Sequence, residues 1–193
     1  MCVDHLRDLM RSSPTIPAVN KRAIIVTGVS RGIGAATARL LGAQGHPVAI
    51  NFLKNEDAAS AVVRDIVSSG GKAAAIRADI SQESEIIGLF ESSDRELGAL
   101  GGLVNNAAVT GGFARVQDLK SETLAKVFAL NVAGAILCAR EAVRRLSTEC
   151  GGSSGSIVNI SSLAARIGGP ANGFTMPPPR GRSTVSSSGW RGR

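Results

Sequence analysis

Eight consecutive residues, Thr27-Gly28-Val29-Ser30-Arg31-Gly32-Ile33-Gly34, hold the groups best suited to binding an anion. A β-branched run, Ala23 to Thr27, leads into them and an apolar-periodic run, Ile33 to Ala43, leads out, so the spacing predicts strand, glycine turn and helix. A helix N-terminus presents unpaired backbone N–H groups and partial positive charge, which suits a phosphate. Glycines let the backbone turn sharply and approach a ligand with no Cβ in the way. The pattern Gly-x-x-x-Gly-x-Gly differs from both Gly-x-Gly-x-x-Gly and the phosphate loop ending in Gly-Lys-Ser/Thr, and by itself it also describes an ordinary tight turn. The other polar residues that stand where chemistry could be done are Asp79, Asn105, Asn131 and Ser161-Ser162. Asn131 is informative alone: it interrupts an apolar helical face, where Asn is a poor helix former and costly if unpaired.

Competing chemistries find little in the sequence. Cys2, Cys138 and Cys150 are odd in number and contain no Cys-x-x-Cys, so neither a disulfide framework nor a zinc site is expected, and no metal site is assigned. His5 and His46 are isolated, which leaves a Ser-His-Asp triad unsupported. The formal charge of +7 sits at the ends: residues 23–175 carry fourteen basic and thirteen acidic groups, whereas 176–193 carry four arginines and no acid. A basic end is more often solvated than a binding patch, so nucleic acid is not the expected partner. No consecutive apolar run reaches the roughly 18 residues of a membrane helix. The N-terminus forms no signal-peptide core, and a reducing cytoplasm is the expected location.

The elements that must position these residues read as alternating strand and helix. The first helix is expected to bury Ile33, Ala36, Leu40 and Leu41. Pro47 to Asn51 reads as a second strand; Asn55 caps a helix with core face Ala59, Val62, Val63, Ile66 and Val67. Lys72 to Ala78 gives a third strand, and Ser81 caps a third helix bearing Ile86, Ile87, Phe90 and Leu97. Gly98 to Gly102 is expected to turn into a short strand at Leu103-Val104. Ser121 caps one long helix through Leu124, Phe128, Asn131, Ala135, Cys138 and Val143, and Ser156 to Ser161 is a fifth strand. This alternation predicts an α/β fold, a doubly wound parallel sheet with helices on both faces, over residues 21–175. Residues 1–20 read as a disordered arm and 176–193, after Pro177-Pro178-Pro179, as a disordered basic tail. Ligands of such sheets sit at the carboxyl ends of the strands, where the glycine turn, Asp79, Asn105 and Ser161-Ser162 converge.

Together, Thr-Gly-x-x-x-Gly-Ile-Gly at 27–34, Asp79, Asn-Asn-Ala-Ala at 105–108, Asn131 and Ile-Val-Asn-Ile-Ser-Ser at 157–162 resemble the short-chain dehydrogenase/reductase family, in order and in spacing, from about Ala23 to Pro170. The resemblance implies a Rossmann-like domain that interconverts a carbonyl and an alcohol on a small molecule by hydride transfer with NAD(P)(H). It assigns Gly28, Gly32, Ile33 and Gly34 to the pyrophosphate. Asp79 and Ile80 go to the adenine, with an Asx turn as the local alternative for Asp79. Asn105 goes to tying the central strands and Ala107 to the cofactor face. Asn131 is assigned to a water in a proton relay, with a side chain satisfied by nearby backbone as the alternative, and Ser162, or Ser161, to orienting the reacting oxygen. Arg31 with Ser30, and no acid among Asn51-Phe52-Leu53-Lys54, are similar to the members of classical type that prefer NADP(H), with NAD(H) as the second cofactor.

One departure is large. The family's Tyr-x-x-x-Lys has no counterpart, because the chain has no tyrosine and no lysine after Lys126. A chain truncated or frameshifted after about residue 174 accounts for this: one frame earlier, Thr175 to Arg180 can encode Tyr-Ala-Ala-Ser-Lys. Without the family's later strands, the first and fifth strands are expected to lack neighbours. Homo-oligomers are typical of the family, through the long helix at about 121–147 and a helix after the fifth strand, and the second of these is not expected here. The expected function is therefore that of an impaired oxidoreductase. A non-catalytic NADP(H)-binding remnant is the alternative, and an interaction protein using the Arg/Gly tail is the second alternative.

Overall fold

The computed structural model describes residues 21–112 and 114–162; the arm expected at 1–20 and the tail at 176–193 lie outside them. The runs Ala23–Val26 (β1), Val48–Phe52 (β2), Ala73–Arg77 (β3), Leu100–Asn105 (β4) and Ser156–Asn159 (β5) form one sheet in the order β3-β2-β1-β4-β5, with every pair parallel. The chain winds outward through β2 and β3, then crosses back to the far side of β1. The order therefore reverses between β1 and β4, which is where such sheets open a crevice. β1 is flanked on both sides, contrary to the expectation that it would lack a neighbour.

Helices Gly32–Ala43 (α1), Glu56–Ser68 (α2), Glu83–Leu97 (α3), Ser121–Phe128 (α4) and Ala135–Leu146 (α5) cover the two faces. Successive strand residues point to opposite sides. Ile25, Ala49 and Leu103 join Ile86, Phe90, Cys138 and Ala142 in one core, while Val26, Ile50 and Val104 join Ala38, Val62 and Ile66 in the other. This is the doubly wound arrangement, Rossmann-like, that the alternation predicts.

Several local expectations need correction. α1 buries Gly34, Ala35, Ala38 and Gly42, whereas Ile33 and Leu40 are 60% and 61% exposed. Small side chains let this helix come close to its neighbours: a Cβ on Gly42 would meet Ile66 Cγ2 at 2.6 Å. Val67 lies off the Ala59, Val62, Ile66 stripe of α2 and is exposed. Strand β4 starts at Leu100, with Gly101 as the extra residue between the Ala23–Leu100 and Ile24–Gly102 pairs, so the expected glycine turn is largely strand. Neither expected serine caps a helix. Ser81 is held by Asp79 and precedes Gln82 at the start of α3, and Ser121 is itself the first helical residue of α4.

The expected single long helix is divided by a π-helical segment, Ala129–Gly134, between α4 and α5. The segment shifts the helical register, so Val127, Asn131, Cys138, Ala142 and Leu146 turn inward while Phe128, Ile136 and Val143 face outward. Counted as one span, Ser121–Leu146 is long and apolar enough by length and composition to cross a membrane, which a search for unbroken apolar runs misses. Cys138, Ala142 and Leu146 nevertheless pack into the sheet core, as in a core helix of a globular domain.

Arg140 and Arg145 fasten α5 to α3 through Glu83 and Asp94, and buried Glu141, on the same helix as both arginines, holds them in place. Glu141 accepts hydrogen bonds from Arg140, Arg144 and Arg145 at 2.8–3.1 Å. Burial pushes the Glu141 carboxyl up, but the hydrogen bonds from Arg145 and Arg140 and the charges of Arg144 and Arg140 outweigh it and hold it below its ordinary 4.5. A depressed carboxyl stabilises the fold fully above its unfolded value and loses that contribution as pH falls through the folded one. Glu141→Gln should therefore lower the melting temperature at pH 7, and the gap from wild type should begin to narrow below about pH 4.5 and close as pH falls through the lower folded value. Melts recorded from pH 7 to pH 3 check this; a gap independent of pH would show that the carboxylate's charge does not hold the arginines that reach α3.

Candidate functional site

At the carboxyl ends of β1 and β4 the ladder stops and side chains take over the backbone. The Thr27 hydroxyl accepts hydrogen bonds from the N–H groups of Asn106 (3.0 Å) and Ala107 (2.9 Å). In return, Asn106 Nδ2 donates to the carbonyls of Thr27 (2.9 Å) and Gly28 (3.0 Å). The approach tolerates nothing larger than glycine. A Cβ on Gly28, whose φ is +68°, would lie 2.7 Å from Ala107 Cα, and one on Gly34 would lie 2.5 Å from Asn106 Nδ2. These two glycines thus serve a close approach between parts of the chain, while Gly32 has open space where its Cβ would be.

What this packing leaves exposed is the start of α1. Arg31, in extended backbone, precedes the helix without a side-chain capping bond, and the first turn holds no acid. By contrast α2 begins with Glu56 and Asp57 behind the Asn55 cap, and α3 with Glu83 and Glu85. The N–H groups of α1 are therefore free of competing carboxylates, and the donor set fits a phosphate-bearing group. Arg31 and Lys54 are exposed, and among the described residues neither enters an ion pair.

Asp79 follows β3 and forms an Asx turn: its Oδ1 accepts from Ser81 N (2.9 Å) and Oγ (2.7 Å), and its own N–H donates to Glu85 Oε2 (2.8 Å). The π segment approaches the same loop so closely that a Cβ on Gly134 would lie 2.2 Å from the Ile80 carbonyl. Asn131 in that segment is buried and pairs with Val109, its Oδ1 accepting from N (2.9 Å) and its Nδ2 donating to O (2.7 Å). Asn105 Nδ2 donates to the Ala135 carbonyl (3.1 Å) and to Asn159 Oδ1 (3.0 Å), tying β4 to α5 and β5. Ser161 and Ser162 follow β5 directly after Ile160, whose N–H donates to the Asn105 carbonyl. Gly28–Gly34, Asp79–Ile80, Asn105–Ala107, Asn131 and Ser161–Ser162 are thus gathered at one edge of the sheet.

Two asparagines, Asn106 and Asn51, carry side-chain roles that their place in the sequence did not assign. Asn51 stands inside an apolar strand run, and that misplaced polarity was the available signal. Cys138, pushed up to about 12 by burial and by the charge of Glu141, is no nucleophile. Among the described residues no group of His, Cys, Asp and Glu could hold a metal ion.

Comparison with known proteins agrees with this geometry. The family model described as short chain dehydrogenase matches residues 22–174. The uncharacterized oxidoreductase YgfF of Escherichia coli is 45% identical over 146 residues, covering 76% of this chain and 59% of that protein. A 3-oxoacyl-[acyl-carrier-protein] reductase of Synechocystis is 37% identical over 153 residues, covering 79% of this chain and 60% of that one. Among solved structures, NAD+-bound xylitol dehydrogenase superposes with a TM-score of 0.71 at 33% identity, covering 79% of this chain and 56% of that chain. The reductase LugOII gives 0.69 at 36% identity, with 77% and 62% covered. The chain spans less than two thirds of the length of each of these proteins.

The Thr27 hydroxyl carries two backbone donors, so its near-isosteric replacement isolates them. Thr27→Val should lower unfolding stability by about 2 kcal/mol or more by leaving both N–H groups unpaired, and Thr27→Ser should restore most of it. Urea unfolding checks this; equal midpoints for Val and wild type would mean that Asn106 and Ala107 find other acceptors.

Proposed function

The chain belongs to the short-chain dehydrogenase family of oxidoreductases, and from that premise we propose that it binds a nicotinamide dinucleotide, NADP(H) in preference to NAD(H), as the cofactor-holding part of a carbonyl–alcohol oxidoreductase. The observation that carries this is the uncapped, acid-free start of α1 beside the Gly28–Gly34 turn. Gly28, Gly32, Ile33 and Gly34 line the pyrophosphate, Asp79 and Ile80 the adenine, and Ala107 the inner wall. Arg31 and Ser30 hold the ribose 2′-phosphate, and the lack of a carboxylate at the end of β2 leaves that phosphate unopposed. When bound, such a cofactor accepts or delivers hydride at its nicotinamide.

The residues for the rest of the reaction are fewer. Ser162, or Ser161, orients the reacting oxygen. Asn131 keeps one amide hydrogen and one lone pair beyond its Val109 pairing, enough to hold a relay water. With no tyrosine in the sequence and no lysine after Lys126, no group of ordinary acid/base competence follows. The chain therefore binds cofactor and turns over slowly, by about 10²–10⁴-fold for a missing general acid/base alone. The outward Phe128, Ile136 and Val143 support association of copies through this helix, and free Cys138 and Cys150 suit a reducing cytoplasm.

Fluorescence titration of the 193-residue chain should find NADPH bound about tenfold more tightly than NADH, and Arg31→Ala should remove that difference through loss of charge-assisted hydrogen bonds. Equal affinities in wild type would overturn the NADP(H) preference. NADPH oxidation with a panel of ketones at the rate of a tyrosine-bearing relative would overturn the impairment.

A further inference from the structure

We propose that Asn51 is the positioning residue that holds the two ends of the dinucleotide site in one geometry, a role that rests on the cofactor reading above. Asn51 is 2% exposed, next to the carboxyl end of a strand otherwise made of Val, Ala, Ile and Phe. A lone amide at such a place is costly unless every strong group is paired. Its Oδ1 accepts from the N–H of Gly28 (3.2 Å), the first residue of the glycine turn. Its Nδ2 donates to the carbonyl of Ala78 (2.9 Å), immediately before Asp79. Its own carbonyl accepts from Val29 N (2.9 Å). One residue thereby fixes the Thr27–Gly28 peptide plane on the pyrophosphate side and the Ala78–Asp79 plane on the adenine side.

The pairing has a direction that narrows the choice of side chain. It needs an acceptor toward Gly28 and a donor toward Ala78, at the same depth. Asn meets both. Leu meets neither. Ionised Asp accepts from Gly28 but sets a buried charge against the Ala78 carbonyl, whereas protonated Asp reproduces the whole pattern, its O–H replacing the amide N–H. Burial raises the pKa of such a carboxyl, so the switch falls at mildly acidic pH.

Asn51→Ala and Asn51→Asp in the full chain, titrated with NADPH from pH 5.5 to 8, test the role alongside amide exchange at Gly28 in the absence of nucleotide. Asn51→Ala should bind about tenfold more weakly at every pH, the equivalent of a lost buried hydrogen bond. Asn51→Asp should match that loss at pH 8 and recover toward wild type at pH 5.5, with Gly28 exchange protection following the same curve. A purely structural role predicts affinity and Gly28 protection that follow the melting temperature in both variants at every pH, and that result overturns the proposal. So does unchanged affinity in both variants while wild type binds. Wild-type chain that binds no dinucleotide, with Gly28 protection still dependent on Asn51, overturns the cofactor reading and with it the positioning role, and the binding and exchange arms separate these cases.

Discussion

A parallel strand that runs past the end of its sheet leaves N–H and C=O groups without ladder partners, and buried groups of that kind must be paired. At the carboxyl ends of β1, β2 and β4 this duty falls on three side chains, Thr27, Asn51 and Asn106. The half of the site around the glycine turn depends on their hydrogen bonds. They bring Gly28 against Ala107 at a distance no side chain would allow, and that contact aims the following helix. The backbone donors at the start of α1 stay available because the polar groups nearby are already committed to one another. A pre-paired turn of this kind needs little rearrangement to receive an anion, which favours binding.

The second half of the site is organised by an irregular helix. A π-helical segment puts an extra residue into one turn, and such segments are frequent at functional sites because they redirect a side chain. Here it turns Asn131 inward to Val109 and sets Gly134 against the Ile80 carbonyl. The loop after β4, the loop after β3 and the helix are thus locked to one another. Farther along, Glu141 and its arginines hold α5 to α3, and the cation–π contact of Arg145 with Phe90 at 5.1 Å continues that anchoring. The two devices divide the labour: hydrogen bonds fix the geometry near the site, and charge pairing fixes the helix behind it.

Much of this was legible in the sequence. Glycine spacing after a β-branched run located the turn, and alternation of periods located the sheet. Other parts were hidden for physical reasons. Hydrophobic counting favours Ile33 and Leu40 as core residues, but a helix that packs closely on its neighbours buries Gly and Ala instead. Asn51 looked like a polar strand end, because its partners Gly28 and Ala78 are 23 and 27 residues away. Asn106 reaches Thr27 across 79 residues.

What the sequence determined by itself is the class of fold, the position of the glycine turn, and the absence of tyrosine from these 193 residues. These follow from local properties: backbone freedom at glycine, side-chain period, and the chemical inventory of the chain. Only the tertiary structure decided that β1 lies at the centre, that α1 presents its smallest side chains to the core, that the long helix breaks at Asn131, and that Asn51 bridges Gly28 and Ala78. Each of these depends on which distant groups meet when strands pair. Hydrogen bonds and close contacts are properties of distance in space, and residue spacing along the chain does not encode them.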